Sequence, residues 1–185
     1  MPIIDIRYIE HPVSHYDVII VGGGPAGLNA ALVLGRCRYK VLLFTSNEHR
    51  NAPSSAMHGF LSRDGTPPME LLRIGREQLE PYGVELQEAL IASAELCPGG
   101  FSVTTSAGDI FRARKLLLAT GIIDNLPQFE GFHQFYGSSA FHCPYCNGWE
   151  NREKRIVAYA KGKEAAAYAF NLRNYSEDLI LCTDV

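Results

Sequence analysis

Tyr16-Asp-Val-Ile-Ile-Val-Gly22-Gly-Gly24-Pro-Ala-Gly27-Leu-Asn-Ala-Ala31 is the stretch that decides the fold. The apolar β-branched residues Val18 to Val21 run directly into a glycine cluster, and an Ala/Leu-rich helical pattern follows. That order reads as strand, tight turn, helix. Gly22 permits the turn, Gly24 has no side chain to hold a diphosphate off the backbone, and Gly27 lets helix and strand pack closely. The free N–H groups and the positive dipole end at the helix start then face an anion. A G-x-G-x-x-G in isolation also suits a ligand-free turn; the strand before it and the helix after it are the context a dinucleotide site requires.

The helix is predicted over Pro25 to Arg38, with Leu28, Ala31, Leu32 and Gly35 inward, and a second buried strand over Tyr39 to Phe44. Together these make a βαβ unit with parallel strands. A dinucleotide site of this kind usually places Asp or Glu at the end of the second strand to hold the ribose hydroxyls. Here Thr45-Ser46-Asn47 stands there and the first acid is Glu48. Arg50-Asn51 to His58-Gly59-Phe60 is a loop on the edge where ligands bind in open α/β sheets, and it equally suits an ordinary surface loop. A helix follows from Met69 to about Tyr82, entered through Pro67-Pro68 and ended by Gly83. Short strands are predicted over 83–88, 89–95, 101–106 and 110–114, and the turns Pro98-Gly-Gly100 and Ala107-Gly108-Asp109 between the last three suggest a three-stranded antiparallel meander. Lys115 to Ala119 reads as a further buried strand, and Thr120-Gly121 at its end lets a ligand approach the main chain.

The bulk numbers fit this picture. A chain of 185 residues with 46% hydrophobic and 20% charged residues is globular, one domain or one and part of a second. Its net charge of −3 gives no electrostatic case for nucleic acid or an anionic membrane. The longest apolar runs are strand-sized, too short for a bilayer. Met1 to His15 carries charges and no apolar core of a signal peptide, so it reads as a leader, with the cytoplasm as the expected compartment. Five cysteines fit no complete disulfide framework.

Two of those cysteines are close: Phe141-His142-Cys143-Pro-Tyr-Cys146-Asn147-Gly-Trp-Glu150. Cysteines two residues apart can close a small reducible disulfide, with one thiol acidified locally. The pair could also be half a zinc site or two unrelated thiols. Zinc needs two more ligands at similar spacing, and no second C-x-x-C exists, so redox chemistry is the preferred reading and no metal is expected. A second βαβ pattern follows: strand 155–160, helix 164–175, strand 178–182. In its first turn Lys161-Gly162-Lys163 puts lysine where the glycine fingerprint would have glycine, which disfavours a close diphosphate contact. Two strands and one helix are too few to cover a sheet on both faces, so the expectation is a fragment or a surface completed from elsewhere.

With these pieces placed, the chain resembles the N-terminal part of the low-molecular-weight thioredoxin reductases, within the FAD-dependent pyridine-nucleotide-disulfide oxidoreductases. The carrying residues are Tyr16 to Gly27, Leu118-Ala-Thr-Gly121, Phe135-Tyr-Gly137 and Phe141 to Glu150, with Arg50-Asn51 and His58-Gly-Phe-Leu61 pointing to a C-P-Y-C branch. The resemblance implies an α/β fold: a Rossmann-like FAD-binding βαβ domain with a three-stranded antiparallel meander, then a partial second Rossmann-like nucleotide domain. The implied division is a leader over 1–15, a first segment of the FAD domain over 16–124 without its return segment, and the redox motif with an incomplete NAD(P)-binding-like domain over 125–185. FAD would be held by Gly22, Gly24, Pro25, Ala26, Gly27, Thr45, Arg50, Asn51, His58, Thr120 and Gly121. Electrons would pass from NADPH through FAD to Cys143 and Cys146, and then to a disulfide on a thioredoxin-like partner. Cys146 would face the flavin and Cys143 would attack the partner. The family often has Asp after the second cysteine as acid and base; Asn147 cannot ionise, and His142 is the candidate to replace it. A homodimer is the family's common assembly. The rival expectations are a truncated or degenerate flavoprotein that catalyses nothing, and another FAD-dependent oxidoreductase in which the cysteines are incidental.

Overall fold

The computed structural model describes residues 16–183, so the leader expected over 1–15 lies outside the described residues. The chain forms two compact units. One comprises residues up to Ala52 with Met69–Asp124, and the other Pro53–Pro68 with Asn125 onward.

The first unit is built on strands β1 (Tyr16–Val21), β2 (Val41–Thr45), β3 (Glu85–Glu88), β4 (Ile91–Cys97), β5 (Gly100–Thr105) and β6 (Ile110–Leu118), with helices α1 (Pro25–Arg36) and α2 (Pro68–Glu77). The six strands form one sheet in the order β3-β2-β1-β6-β5-β4. β1 has β2 parallel on one side, Val18 opposite Val41, and β6 parallel on the other, Val18 opposite Lys115. Side-chain alternation puts Val18, Ile20, Val41 and Leu43 in one core layer with Leu28, Ala31, Leu72 and Leu79. Ile19, Leu42 and Phe44 join the other layer with Tyr16, Val103 and Ala113. All five residues of β2 are buried, as a parallel strand covered on both faces requires. Full burial of a Leu side chain such as Leu42 or Leu43 stabilises by about 1.5–3 kcal/mol relative to exposure.

Three details differ from the sequence expectation. α1 stops at Arg36 rather than Arg38, because Arg38 turns left-handed with φ 64° and its N–H returns to the Gly35 carbonyl at 2.8 Å. α2 ends at Glu77 rather than at about Tyr82, and a separate single turn over Glu80–Tyr82 precedes left-handed Gly83; the strand that follows, β3, pairs parallel with β2, Leu42 opposite Glu85. The two strands expected over 110–114 and 115–119 are one strand of nine residues. Its first part runs antiparallel to β5, Ser102 opposite Arg112, and its continuation runs parallel to β1. Nothing between Arg114 and Lys115 breaks extended backbone, so the strand runs through. Arg114 reaches the Asp17 carboxylate at 3.2 Å.

The second unit holds β7 (Ile156–Tyr159) and β8 (Leu179–Cys182), parallel with Ile156 opposite Leu179, joined through α5 (Ala165–Leu172). Ahead of them lie two single-turn helices, α3 (Phe132–Phe135) and α4 (Pro144–Asn147). Among the described residues no helix is long and apolar enough to cross a membrane.

Candidate functional site

In the first unit the glycine loop follows β1 and opens α1, and two of its glycines are demanded by close main-chain approach. Gly22 has φ 117°, and a Cβ there would lie 2.1 Å from the Ala119 carbonyl oxygen. A Cβ on Gly27 would lie 1.8 Å from the Gly22 carbonyl oxygen. Gly24 is the opposite case: a Cβ there would meet nothing within 4 Å, so the loop opens onto free space at the helix start. Pro25 occupies the first turn of α1, where a missing N–H costs nothing. Ala119-Thr120-Gly121 reaches the same edge, since the Ala119 N–H donates to the Val21 carbonyl at 2.8 Å. This arrangement fits a dinucleotide diphosphate: tight where strand and helix meet, open where an anion would face backbone N–H groups.

The end of β2 is built differently from the sequence expectation. Thr45 is buried, and its hydroxyl accepts the Asn47 N–H at 3.1 Å. A Cβ on Gly23 would sit 2.6 Å from that hydroxyl oxygen, so Thr45 packs directly under the loop. Asn47 is left-handed at φ 60°, and its Oδ1 accepts from the Arg76 guanidinium at 2.7 Å. Among the described residues, His49 Nε2 and Arg76 Nε are buried and lack a hydrogen-bond partner. Burial, and then the Arg76 charge, lower the His49 pKa from its ordinary value. Unfilled polar atoms at the end of β2 suit a polar ligand there, and sequence reasoning missed both residues. Arg76 lies on α2, 29 residues from Asn47, and no spacing signals that pairing. Arg50 makes a two-point contact with Asp124 at 2.7 and 2.8 Å, tying the loop after β2 to the chain beyond Gly121. Asn51 is exposed.

His58 and the cysteine pair belong to the second unit. Cys143 and Cys146 form a disulfide with Cα atoms 5.3 Å apart. Cys143 is the N-cap of α4, and its Sγ accepts the Cys146 N–H at 3.2 Å. A backbone donor aimed at sulfur favours negative charge on that sulfur. Gly148 follows because α4 packs tightly: a Cβ there would lie 2.4 Å from the Pro144 carbonyl oxygen and 2.6 Å from the Tyr175 ring. Tyr145 and Trp149 are 76% and 66% exposed, so the redox pair is flanked by accessible aromatic surface. His142 Nδ1 lies 2.7 Å from the Tyr136 hydroxyl, with the two rings stacked at 27°. His58 stands between Asp64 at 3.4 Å and Glu150 at 3.5 Å. In the βαβ turn of this unit Gly162 is left-handed at φ 71°, and Lys161 lies over the Tyr159 ring at 5.8 Å. Among the described residues no group of three or more His, Cys, Asp or Glu is arranged to hold a metal ion.

Comparison with known proteins places this geometry in a family. The chain is 36% identical over 141 residues to a thioredoxin reductase, aclD, of Aspergillus oryzae, covering 74% of this chain and 45% of that protein. It is 35% identical over 140 residues to the thioredoxin reductase tcpT of Claviceps purpurea, covering 74% of this chain and 44% of that protein. A solved structure of an oxidoreductase from Agrobacterium tumefaciens superposes with a TM-score of 0.85 at 39% identity, over 90% of this chain and 56% of that one. The chain thus spans about half the length of the proteins it matches. The family pattern described as pyridine nucleotide-disulphide oxidoreductase matches residues 16–172, and the chain belongs to that family.

Proposed function

We propose that this chain serves an FAD-dependent disulfide reductase of the thioredoxin reductase type. The observation that carries the reading is the Cys143–Cys146 disulfide at the start of α4, with the Cys146 N–H directed at Cys143 Sγ. FAD, when bound, supplies a two-electron carrier between a reduced nicotinamide nucleotide such as NADPH and the cysteine pair. The main chain from Gly22 to Gly27 would hold its diphosphate, with Thr120 and Gly121 beside the loop. Thr45 acts by supporting the loop from below. His49, Asn47 and Arg76 supply the polar groups at the end of β2, and Arg50, Asn51 and His58 remain in the proposed binding set.

The chemistry of this chain's own residues then follows. In the dithiol state the Cys143 thiolate attacks one sulfur of the partner disulfide, forming a mixed disulfide and releasing the other sulfur as a thiolate. The Cys146 thiolate next attacks Cys143 Sγ, restoring the internal disulfide and freeing the second partner sulfur. Two electrons and two protons reach the partner. The Cys146 N–H favours charge on Cys143, which suits it as the attacking sulfur. Asn147 cannot carry a proton, so His142, next to Cys143, is assigned that task. A thioredoxin-like protein is the proposed partner, since the relatives at 35–36% identity are thioredoxin reductases. A cytoplasmic homodimer belongs to the same proposal.

The test is flavin absorbance of the purified chain after reconstitution with FAD, followed by turnover of a disulfide dye with NADPH. Cys143→Ser is expected to keep the yellow flavin and abolish dye reduction. Turnover unchanged in that variant would eliminate the disulfide-reductase reading and leave another flavin oxidoreductase. A colourless chain that takes up no FAD would leave an inactive relative.

A further inference from the structure

We propose that Tyr136 is the positioning residue for His142, fixing the imidazole so that Nε2 alone exchanges protons with the cysteine pair. The proposal rests on the disulfide-reductase reading and names how its proton carrier is held.

Tyr136 is placed by a stiff piece of backbone. The N–H groups of Ser138, Ser139 and Ala140 all donate to the Phe135 carbonyl, at 3.0, 3.0 and 2.9 Å. The Gly137 N–H donates to the Ala140 carbonyl at 3.0 Å, and Tyr136 bridges to Ala140. Gly137 is left-handed at φ 85°, and a Cβ there would lie 2.6 Å from the Pro53 carbonyl oxygen, so the turn has no room to relax. The Tyr136 ring continues a run of aromatic contacts from the sheet: Tyr159 to Phe129 at 4.6 Å, Phe129 to Phe132 at 6.2 Å, Phe132 to Tyr136 at 6.0 Å. His142 ends the run, 5.8 Å from Tyr136 by ring centroids. By contrast His142 is exposed and lies outside regular structure, so its own backbone does little to orient it.

The hydroxyl is chemically suited to the task because it both donates and accepts. With neutral His142 it accepts from Nδ1–H, which leaves the Nε2 lone pair free to take a proton. With imidazolium it accepts from Nδ1–H, and that charge-assisted bond is the stronger of the two. When a cysteine S–H ionises, its proton is received at Nε2; when a thiolate leaves a disulfide, Nε2–H returns it. Tyr136 contacts His142 directly, and Cys143 follows it in the sequence. Among the described residues no ion pair involves His142, and Glu150 lies 3.5 Å from His58.

The experiment measures the pH dependence of iodoacetamide labelling of Cys143 in the reduced full chain, with fragment mass spectrometry separating it from Cys146. His142→Gln and Tyr136→Phe are each expected to raise the labelling midpoint. For Tyr136→Phe the rise is about half a pH unit, roughly a threefold slower rate at fixed pH. The double variant should match His142→Gln alone, because the hydroxyl acts only through the ring. A wild-type profile in Tyr136→Phe, or shifts that add in the double variant, would overturn the proposal. Should Tyr136→Phe not fold, a chain with difluorotyrosine at 136 keeps the shape and makes the phenol more acidic. An unmoved profile there is equally fatal. Alkylation needs no turnover, so this outcome is separate from the Cys143→Ser result that decides the disulfide-reductase reading.

Discussion

The two βαβ units of this chain share one topology and are built to different standards. In the first, β2 is buried at every position and β1 at four of six. In the second, β7 has one buried residue, Ala158, and β8 none. The first loop carries glycines whose missing side chains are filled by neighbouring main chain at 1.8 and 2.1 Å. The second carries Gly162, with nothing within 4 Å of where its Cβ would be. A parallel pair with a crossover helix is therefore cheap to form, and what distinguishes a ligand cradle is the compression of backbone around it. Close approach of strand, loop and helix leaves an anion facing amides and no side chains; the looser turn leaves lysines.

That contrast predicts the largest effect at Gly27. Gly27→Val drives a side chain into the Gly22 carbonyl, and the expected result is loss of bound flavin together with loss of hydrogen-exchange protection across β1 and β2. Gly162→Ala should keep the flavin spectrum and cost only the left-handed penalty, about 1–2 kcal/mol, seen as faster exchange in β7 and β8. Equal damage from both would show that the two loops are held alike. Next in size are the core substitutions. Leu43→Ala removes a fully buried side chain and should lower the exchange free energy of β1 and β2 by about 2–5 kcal/mol. Ile180→Ala, at a site 49% exposed, should change β7 and β8 by less than about 1 kcal/mol.

The smallest effect is a pH dependence confined to the first unit. Burial, and then the Glu85 carboxylate that accepts its hydroxyl at 2.6 Å, push the Tyr16 phenol up from 10.0 to about 12. A pKa raised on folding means stability that is fully present below pH 10 and is lost as pH rises from 10 toward 12. Tyr16→Phe removes the ionisation, so its urea midpoint should fall less steeply than wild type across that window. Parallel curves would show that Tyr16 does not ionise on unfolding there.

Local sequence carried the elements whose logic is local. The strand–glycine–helix order of Tyr16 to Ala31, the alternation along β2 and the closeness of Cys143 and Cys146 each depend on neighbours within a few residues. What escaped is set at long range. Residues 110–114 and 115–119 read as two strands; in the fold they are one, and Arg114 reaches back to Asp17, 97 residues away. Thr45 reads as a weak substitute for a ribose-binding acid, whereas its hydroxyl closes the turn onto Asn47 and its bulk fits beneath Gly23. The polar atoms that instead line that end, His49 Nε2 and Arg76 Nε, come from a loop and a helix whose proximity no periodicity reports. Tyr136 and His142 are six residues apart, a separation that neither a helix nor a strand brings into contact, and the turn at Gly137 does.

The single strand Ile110–Leu118 also sets a clock. Its continuation closes the open side of β1, so the central strand of the sheet waits for a partner that leaves the ribosome 97 residues later, as Asp17 and Arg114 mark. At about 5–20 residues per second that interval is about 5–20 s. During it the nascent chain can pair β1 with β2 while the other edge of β1, Val18 to Val21, presents unsatisfied N–H and carbonyl groups. Synthesis speed between residues 45 and 118 thus sets how long that edge of β1 stays unpaired, and the strand that unifies the finished sheet is the one that covers it.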